Sequence, residues 1–319
     1  RTIGDGDMGI PSLGIFFSLV FGLISLGFFV FFIHSISKAI QVDNVLNDLF
    51  KNTKSELKCI IDMQQENPVE HFPEFDDWHS VKSKTEGYFK GAHTDKLCAL
   101  CQQHGIKIYI SVKQGFFTVK GYPFLKCDTD LSDKPELVEQ LLDCFIFYIE
   151  EYISDHYRYG MTQISEIAVK AMSPGINDPG TAVKAIDMLS ILLILRLDIY
   201  DVNYSLKRCQ NNQPHLFIHE TSFDELLHDN FTPIRNYAKN DAYVMVNVLE
   251  AFKNILFRAS DNEKATDSLF VYLGAIIEDI GTHISNEYDR EQITNMLKAI
   301  ARISEQQGEK LLARFASNQ

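Results

Sequence analysis

The sequence predicts a mainly α protein with a small α/β unit, in which a transmembrane helix leads into a helical cytoplasmic domain. Three stretches carry this prediction. Ile10 to Ile33 is an apolar run without a charged side chain. Tyr159 to Leu197 has helical spacing on both sides of a seven-residue elbow, Ser173-Pro174-Gly175-Ile176-Asn177-Asp178-Pro179. Ile106 to Val112 sets Ile106, Ile108 and Ile110 against Lys107, Tyr109 and Ser111, the alternation of a half-buried strand.

Taken in order, residues 1–34 read as a membrane helix with a short polar lead. A helix over Ile10 to Ile33 would be roughly 36 Å long, enough to cross about 30 Å of hydrocarbon. Gly14, Ser18 and Gly22 recur every four residues, a small-residue stripe that permits close approach of another helix in lipid. Only Arg1 precedes the run, whereas Lys38, Lys51, Lys54 and Lys58 follow it. The positive-inside rule therefore places the lead in the periplasm and everything after the span in the cytoplasm.

Residues 35–84 read as an amphipathic connector, helical to about Gln64, and then a loop containing the lone Trp78. Residues 85–128 form the small α/β unit, with a short helix over Asp95 to Gln103 and strands over Ile106 to Val112 and Phe116 to Lys120. Residues 129–319 form the helical domain. Its first helix is expected over Glu136 to Tyr152, and a hairpin near 203–219 follows the central helix pair. Helices are then expected over Ser222 to Tyr237, Asp241 to Phe257, Glu263 to His283 and Asp289 to Ala316. Ser222 with Glu225 makes a capping box.

A length of 319 residues allows two or three domains. The first residue is Arg1 rather than Met, which reads as a piece of a longer chain. The net charge of -13 excludes nucleic acid as a partner and disfavours an anionic membrane face as a docking partner for the domain. Six cysteines in a chain of this size are too few for a disulfide framework, so free thiols are expected.

The elbow is the best candidate site. The helix before it carries Met161, Ile164, Ala168 and Ala171 on one face, and Glu166 four residues before Lys170 on another. Gly175 and Asn177 suit positive backbone angles, Asp178 suits an N-cap, and Pro179 suits the first helical position. Ser173, Gly175, Asn177, Asp178 and Thr181 are therefore the ligand-binding candidates, because amides at a helix start favour an anion. Asp178 would compete for that position. A purely structural corner needing Gly, Asn and Pro for backbone reasons accounts for the same residues.

Tyr159-Gly160, Gln163-Ile164 and the run AVKAMSPGINDPGTAVKAIDML closely resemble the signature of a bacterial family of predicted membrane proteins, domain of unknown function 2254. The similarity extends to FFIHSISKAIQV, to the glycine-punctuated region from Gly87 to Leu125, and to SFDELL and IRNYAKND. This resemblance implies a multi-span protein of the bacterial inner membrane with a cytoplasmic C-terminal region. It implies no activity.

Other chemistry-bearing residues point to packing first. Cys98 and Cys101, with Cys127 and His104, have ligand-like spacing but fall on an apolar helix face. His215 and His219 sit on a strand, where four residues separate them by roughly 13 Å. Ser173 has no histidine near it in sequence, although His156 could approach through folding. No metal and no cofactor is expected. Two functional readings follow: a non-enzymatic, homo-oligomeric transport or channel-like assembly in the lipid bilayer, and a membrane-anchored enzyme or ligand sensor acting through the cytoplasmic domain.

Overall fold

A computed structural model describes residues 12–39, 42–69, 71–148, 156–205 and 213–317. The polar lead before the span, and residues 206–212 at the tip of the predicted hairpin, lie outside the described residues. The chain divides into two compact units, Arg1–Asp48 and Leu49–Gln319.

In the first unit, α1 (Ser12–Ala39) contains the stretch Gly14–Ile33, a helix long and apolar enough to cross a membrane. Within that stretch Phe16, Leu19, Phe21, Leu23, Phe28 and Phe31 are all exposed. An amphipathic α2 (Val42–Glu66) follows, as the connector pattern predicts, and runs on into the second unit.

The second unit is mainly α with two small sheets. The five-stranded sheet has the order β1-β5-β3-β8-β7, from β1 (His79–Lys82), β3 (Ile108–Ile110), β5 (Pro123–Cys127), β7 (Val202–Ser205) and β8 (Leu216–His219). The predicted alternation holds: Ile106, Ile108 and Ile110 are buried against Leu97, Cys101, Phe124 and Leu125. The helix expected at Asp95 is α3 (Thr94–His104), and Gly105 ends it in the left-handed conformation at φ 62°. Strands β7 and β8 pair antiparallel as the hairpin requires, and β8 also lies parallel to β3, Ile108 opposite Leu216. The loop before β1 covers the outer face of this sheet: Phe75 stacks on Tyr109 at 4.0 Å and meets Trp78 and Phe217.

The second sheet has the order β4-β2-β6, from β2 (Gly87–Ala92), β4 (Phe117–Thr118) and β6 (Phe145–Tyr148). Here one prediction is corrected. The helix expected over Glu136 to Tyr152 ends early, as α4 (Pro135–Leu142), and the chain turns into β6. The reason is the run Cys144-Phe145-Ile146-Phe147-Tyr148, whose aromatic and β-branched side chains fit a pleated surface better than a helix. Phe145 and Phe147 then pack on Phe89 and Phe124 in the core. A second correction concerns His79–Lys82, expected as loop. It pairs with β5 as an edge strand.

The helical part is organised on α5 (Tyr157–Ala171) and α6 (Pro179–Arg196). Helix α6 packs against both α5 and α8 (Ala242–Ala259), which explains its apolar character on nearly every side. Burying each of Ile186, Leu189, Leu192 and Leu193 contributes about 1.5–3 kcal/mol. Ser222 caps α7 (Phe223–Ala238) through the predicted capping box, Asp241 caps α8, and Asn262 caps α9 (Glu263–His283). The long last helix is corrected to two, α10 (Glu287–Ala301) and α11 (Glu305–Ser317). Gly308, within α11, lets that helix approach the end of α10 closely: a Cβ there would lie 2.3 Å from the Ala301 backbone.

Candidate functional site

The elbow residues come together within one turn. The Ser173 carbonyl accepts the amides of Ile176 and Asn177, and the Asp178 amide returns to Ala171 O at 2.8 Å. Asn177 takes the left-handed conformation at φ 50°, the one non-glycine residue to do so among the described residues. Gly175 does not, which corrects the expectation of a positive angle there, and a Cβ on Gly175 would meet nothing within 4 Å. Asp178 caps α6, accepting Thr181 N at 3.1 Å and the Thr181 hydroxyl at 2.6 Å. Those bonds, the hydroxyl's first, hold its carboxyl below the usual range. Pro174, Gly175, Ile176, Asn177 and Asp178 are exposed, while Ser173 and Thr181 are half-buried. On the flank of α5, Lys170 and Glu166 form the predicted ion pair at 3.4 Å.

A second polar constellation lies at the other end of α5. His156 caps the helix, its Nδ1 accepting the Arg158 amide at 3.3 Å. It therefore stands about 22 Å, the length of the 15-residue helix, from the elbow, so it does not approach Ser173. Tyr157 is fully buried and donates its hydroxyl to Glu220 Oε2 at 2.6 Å. Asn203 Nδ2 donates to Glu220 Oε1 at 3.3 Å, and His156 Nε2 stands 4.0 Å from Oε2. Burial, and then the Glu220 charge, push the Tyr157 hydroxyl well above its ordinary pKa. Burial lowers that of His156, against the attraction of Glu220.

Arg196, at the end of α6, is 1% exposed. Its Nε and Nη2 donate to Thr221 O at 3.1 and 2.7 Å, Nη1 to Ile199 O at 2.6 Å, and Nη2 to Asp201 at 2.9 Å. Burial pushes the Asp201 carboxyl up. Hydrogen bonds and charge from Lys264 and Arg196 outweigh that and hold it below its usual range. Every donor group of this buried guanidinium is used, which is the condition under which a buried charge is tolerated.

Between these features, α2 and α5 enclose a cleft of about 550 Å³. One wall carries Asn52, Thr53, Glu56 and Cys59, the other His156, Tyr159, Gly160 and Gln163. Gly160 is required there, because a Cβ would come within 2.0 Å of Thr53 Oγ1. Gln163 Nε2 donates to Tyr159 Oη at 2.9 Å across the wall. Sequence reasoning missed this cleft as a site, although Tyr159, Gly160 and Gln163 had marked the family resemblance.

Four of the cysteines are packing residues. Cys98, Cys101, Cys127 and Cys144 are buried free thiols in one core, and burial raises the Cys101 thiol far above its ordinary range. His104 is exposed, apart from them. His219 Nδ1 lies 3.2 Å from the Tyr109 hydroxyl. No group of three or more metal-binding side chains occurs among the described residues.

A lipid-length apolar helix joined to a mainly helical domain defines the class of a membrane protein carrying a folded domain. The chain belongs to the family described as Predicted membrane protein (DUF2254), whose profile matches residues 1–254. Among curated proteins it is similar to the uncharacterized proteins Mb1321c of Mycobacterium bovis and Rv1290c of Mycobacterium tuberculosis. Each is 20% identical, with 96% of this chain and 60% of the relative covered. The chain thus spans about 60% of the length of those relatives. No solved structure matches.

Proposed function

We propose that this is a bacterial inner-membrane protein with a cytoplasmic domain, whose span joins other copies in a non-enzymatic transport or channel-like assembly. The observation that carries the proposal is the groove along α1 lined by Gly14, Ser18 and Gly22. A Cβ added at Gly22 would meet nothing within 4 Å, so another helix has room to lie close there. One span cannot enclose a path for solutes, so transport requires several helices around one axis. The lysine asymmetry around the span and the four buried free thiols support a cytoplasmic domain.

Mass measurement in detergent tests the assembly. An oligomer that Gly22→Leu dissociates is the expected result, and a monomer that keeps its cellular role contradicts it. Topology is tested with a cysteine at Gln65, which an impermeant reagent should leave unmodified in intact cells.

The cleft between α2 and α5 favours a second reading, a ligand sensor. Its wall α2 follows the span almost directly in sequence, so an occupant would act on the segment nearest the membrane. In this reading Ser173, Gly175, Asn177, Asp178 and Thr181 offer a second contact for an anion that displaces Asp178 from its cap. A binding role at the elbow predicts that Gly175→Val abolishes function while melting temperature and expression hold, because a Cβ there meets nothing within 4 Å in the folded chain.

A further inference from the structure

Residues 49–66, the part of α2 within the second unit, bury one stripe: Thr53, Leu57, Ile61 and Gln64, at helical spacing. Two of the four are polar. The Thr53 hydroxyl donates to Leu49 O of its own helix at 2.7 Å, so its hydrogen stays within α2. Gln64 Oε1 accepts the Tyr200 amide at 3.0 Å, but Gln64 Nε2 is buried without a partner among the described residues. Helix α6, by contrast, buries Ile186, Leu189, Leu192 and Leu193 with further residues on several sides.

The contact with α5 leans on one notch. A Cβ on Gly160 would lie 2.0 Å from Thr53 Oγ1, 3.1 Å from its Cβ and 3.3 Å from its Cγ2, and these are its three nearest neighbours. Beside the notch the cleft of about 550 Å³ separates the two helices, with Asn52, Ser55 and Cys59 exposed along it. Past the end of α2 the chain is pinned again. Tyr204 donates its hydroxyl to Asn67 O, and the Phe72 ring packs on Tyr200 and Tyr204.

We propose that residues 49–66 form a latch, which undocks from α5 as a unit about the pinned end at Asn67 while α5, α6 and α8 stay folded. Burial stabilises in proportion to the apolar area removed from water, and this stripe offers Leu57 and Ile61 where α6 offers nearly its whole circumference. The buried amide of Gln64 favours the open state, because undocking gives its unmade bond to water. Proteins open first where buried apolar contacts are fewest. Helix α2 follows the span in chain order, so the latch gives the segment after the span two states. A group that enters the cleft and bonds both walls holds the docked state, by as much as it prefers that state.

Hydrogen exchange of the full chain in lipid nanodiscs, read by mass spectrometry, is the test. An undocked helix of this length is marginal in water, so its amides exchange whenever it lifts. The expected result is protection over residues 53–64 about tenfold or more below that over residues 185–193 of α6. Gly160→Ala favours α5 itself as a helix but fills the notch. It should speed exchange over residues 53–64 by about tenfold again and leave α6 and α8 as they were. Adding Thr53→Ala, which removes two of the three neighbouring atoms, should restore most of the protection. Equal protection of α2 and α6 in the unmodified chain overturns the proposal, whether or not the variants fold. So does a Gly160→Ala chain in which all helices speed up together, or one that Thr53→Ala does not rescue.

Discussion

The two ends of α5 hold polar networks of opposite kind. At the elbow, Asp178, Thr181 and Asn177 make a compact network open to water. At the start of the helix, Tyr157, Glu220, Asn203 and the nearby Arg196 make one sealed from it. Water can replace any partner lost at the elbow, whereas a lost partner in the sealed network leaves a desolvated group behind. The number of hydrogen bonds is therefore a poor guide to what each network contributes.

The largest expected effect is at Arg196. Arg196→Met leaves Thr221 O and Ile199 O without their donor and should destabilise the domain by about 3–5 kcal/mol, read by denaturant unfolding. A loss under about 1 kcal/mol would show that the sealed network is no different in kind from the elbow. Tyr157→Phe removes one donor from Glu220 and should cost about 1–3 kcal/mol. At the elbow, Asn177→Val forces a β-branched residue into the left-handed conformation and should cost about 1–2 kcal/mol, while Asn177→Gly should be close to neutral.

The pH dependence separates the same two regions. His156 titrates lower in the folded chain than in the unfolded one, so the unfolded state takes up the proton first. The stability tied to it is complete above about pH 6.5 and is lost as pH falls below that. Protonation at Nδ1 also removes the acceptor that caps α5. His156→Asn keeps a cap and should flatten this slope in a series of melting temperatures. Asp178 is a depressed carboxyl, so its share persists down to about pH 4 and is lost only below it. Asp178→Ala should lower the melting temperature modestly. Gly175→Ala, the smallest, should leave it unchanged, since neither backbone angle nor space demands glycine there.

This contrast also explains what was legible in the sequence. The span, the elbow, the capping box at Ser222 and the alternating strand are local patterns, written within a few residues of one another. The Glu220 network joins residues from 156, 203 and 220, and Arg196 reads in sequence as one charge at the end of an apolar helix. Nothing near either position in the chain announces its partners. The strand β6 was missed for another reason. Its run is apolar throughout, and such a run carries no period that separates helix from strand. Gly175 was misjudged because Asn177, two residues later, takes the left-handed position that either residue could fill.

The parallel pairing of β3 with β8 sets an order of events during synthesis. Ile108 finds its partner in Leu216, which leaves the ribosome 108 positions later. At about 5–20 residues per second, β3 waits roughly 5–20 s with that edge unpaired, while the span has already been made. The α5–α6 hairpin is complete within the interval and can shelter its own apolar faces, but the strand cannot. A nascent chain held at the membrane is thereby kept apart from its neighbours during the period when an open edge would most readily pair with the wrong partner.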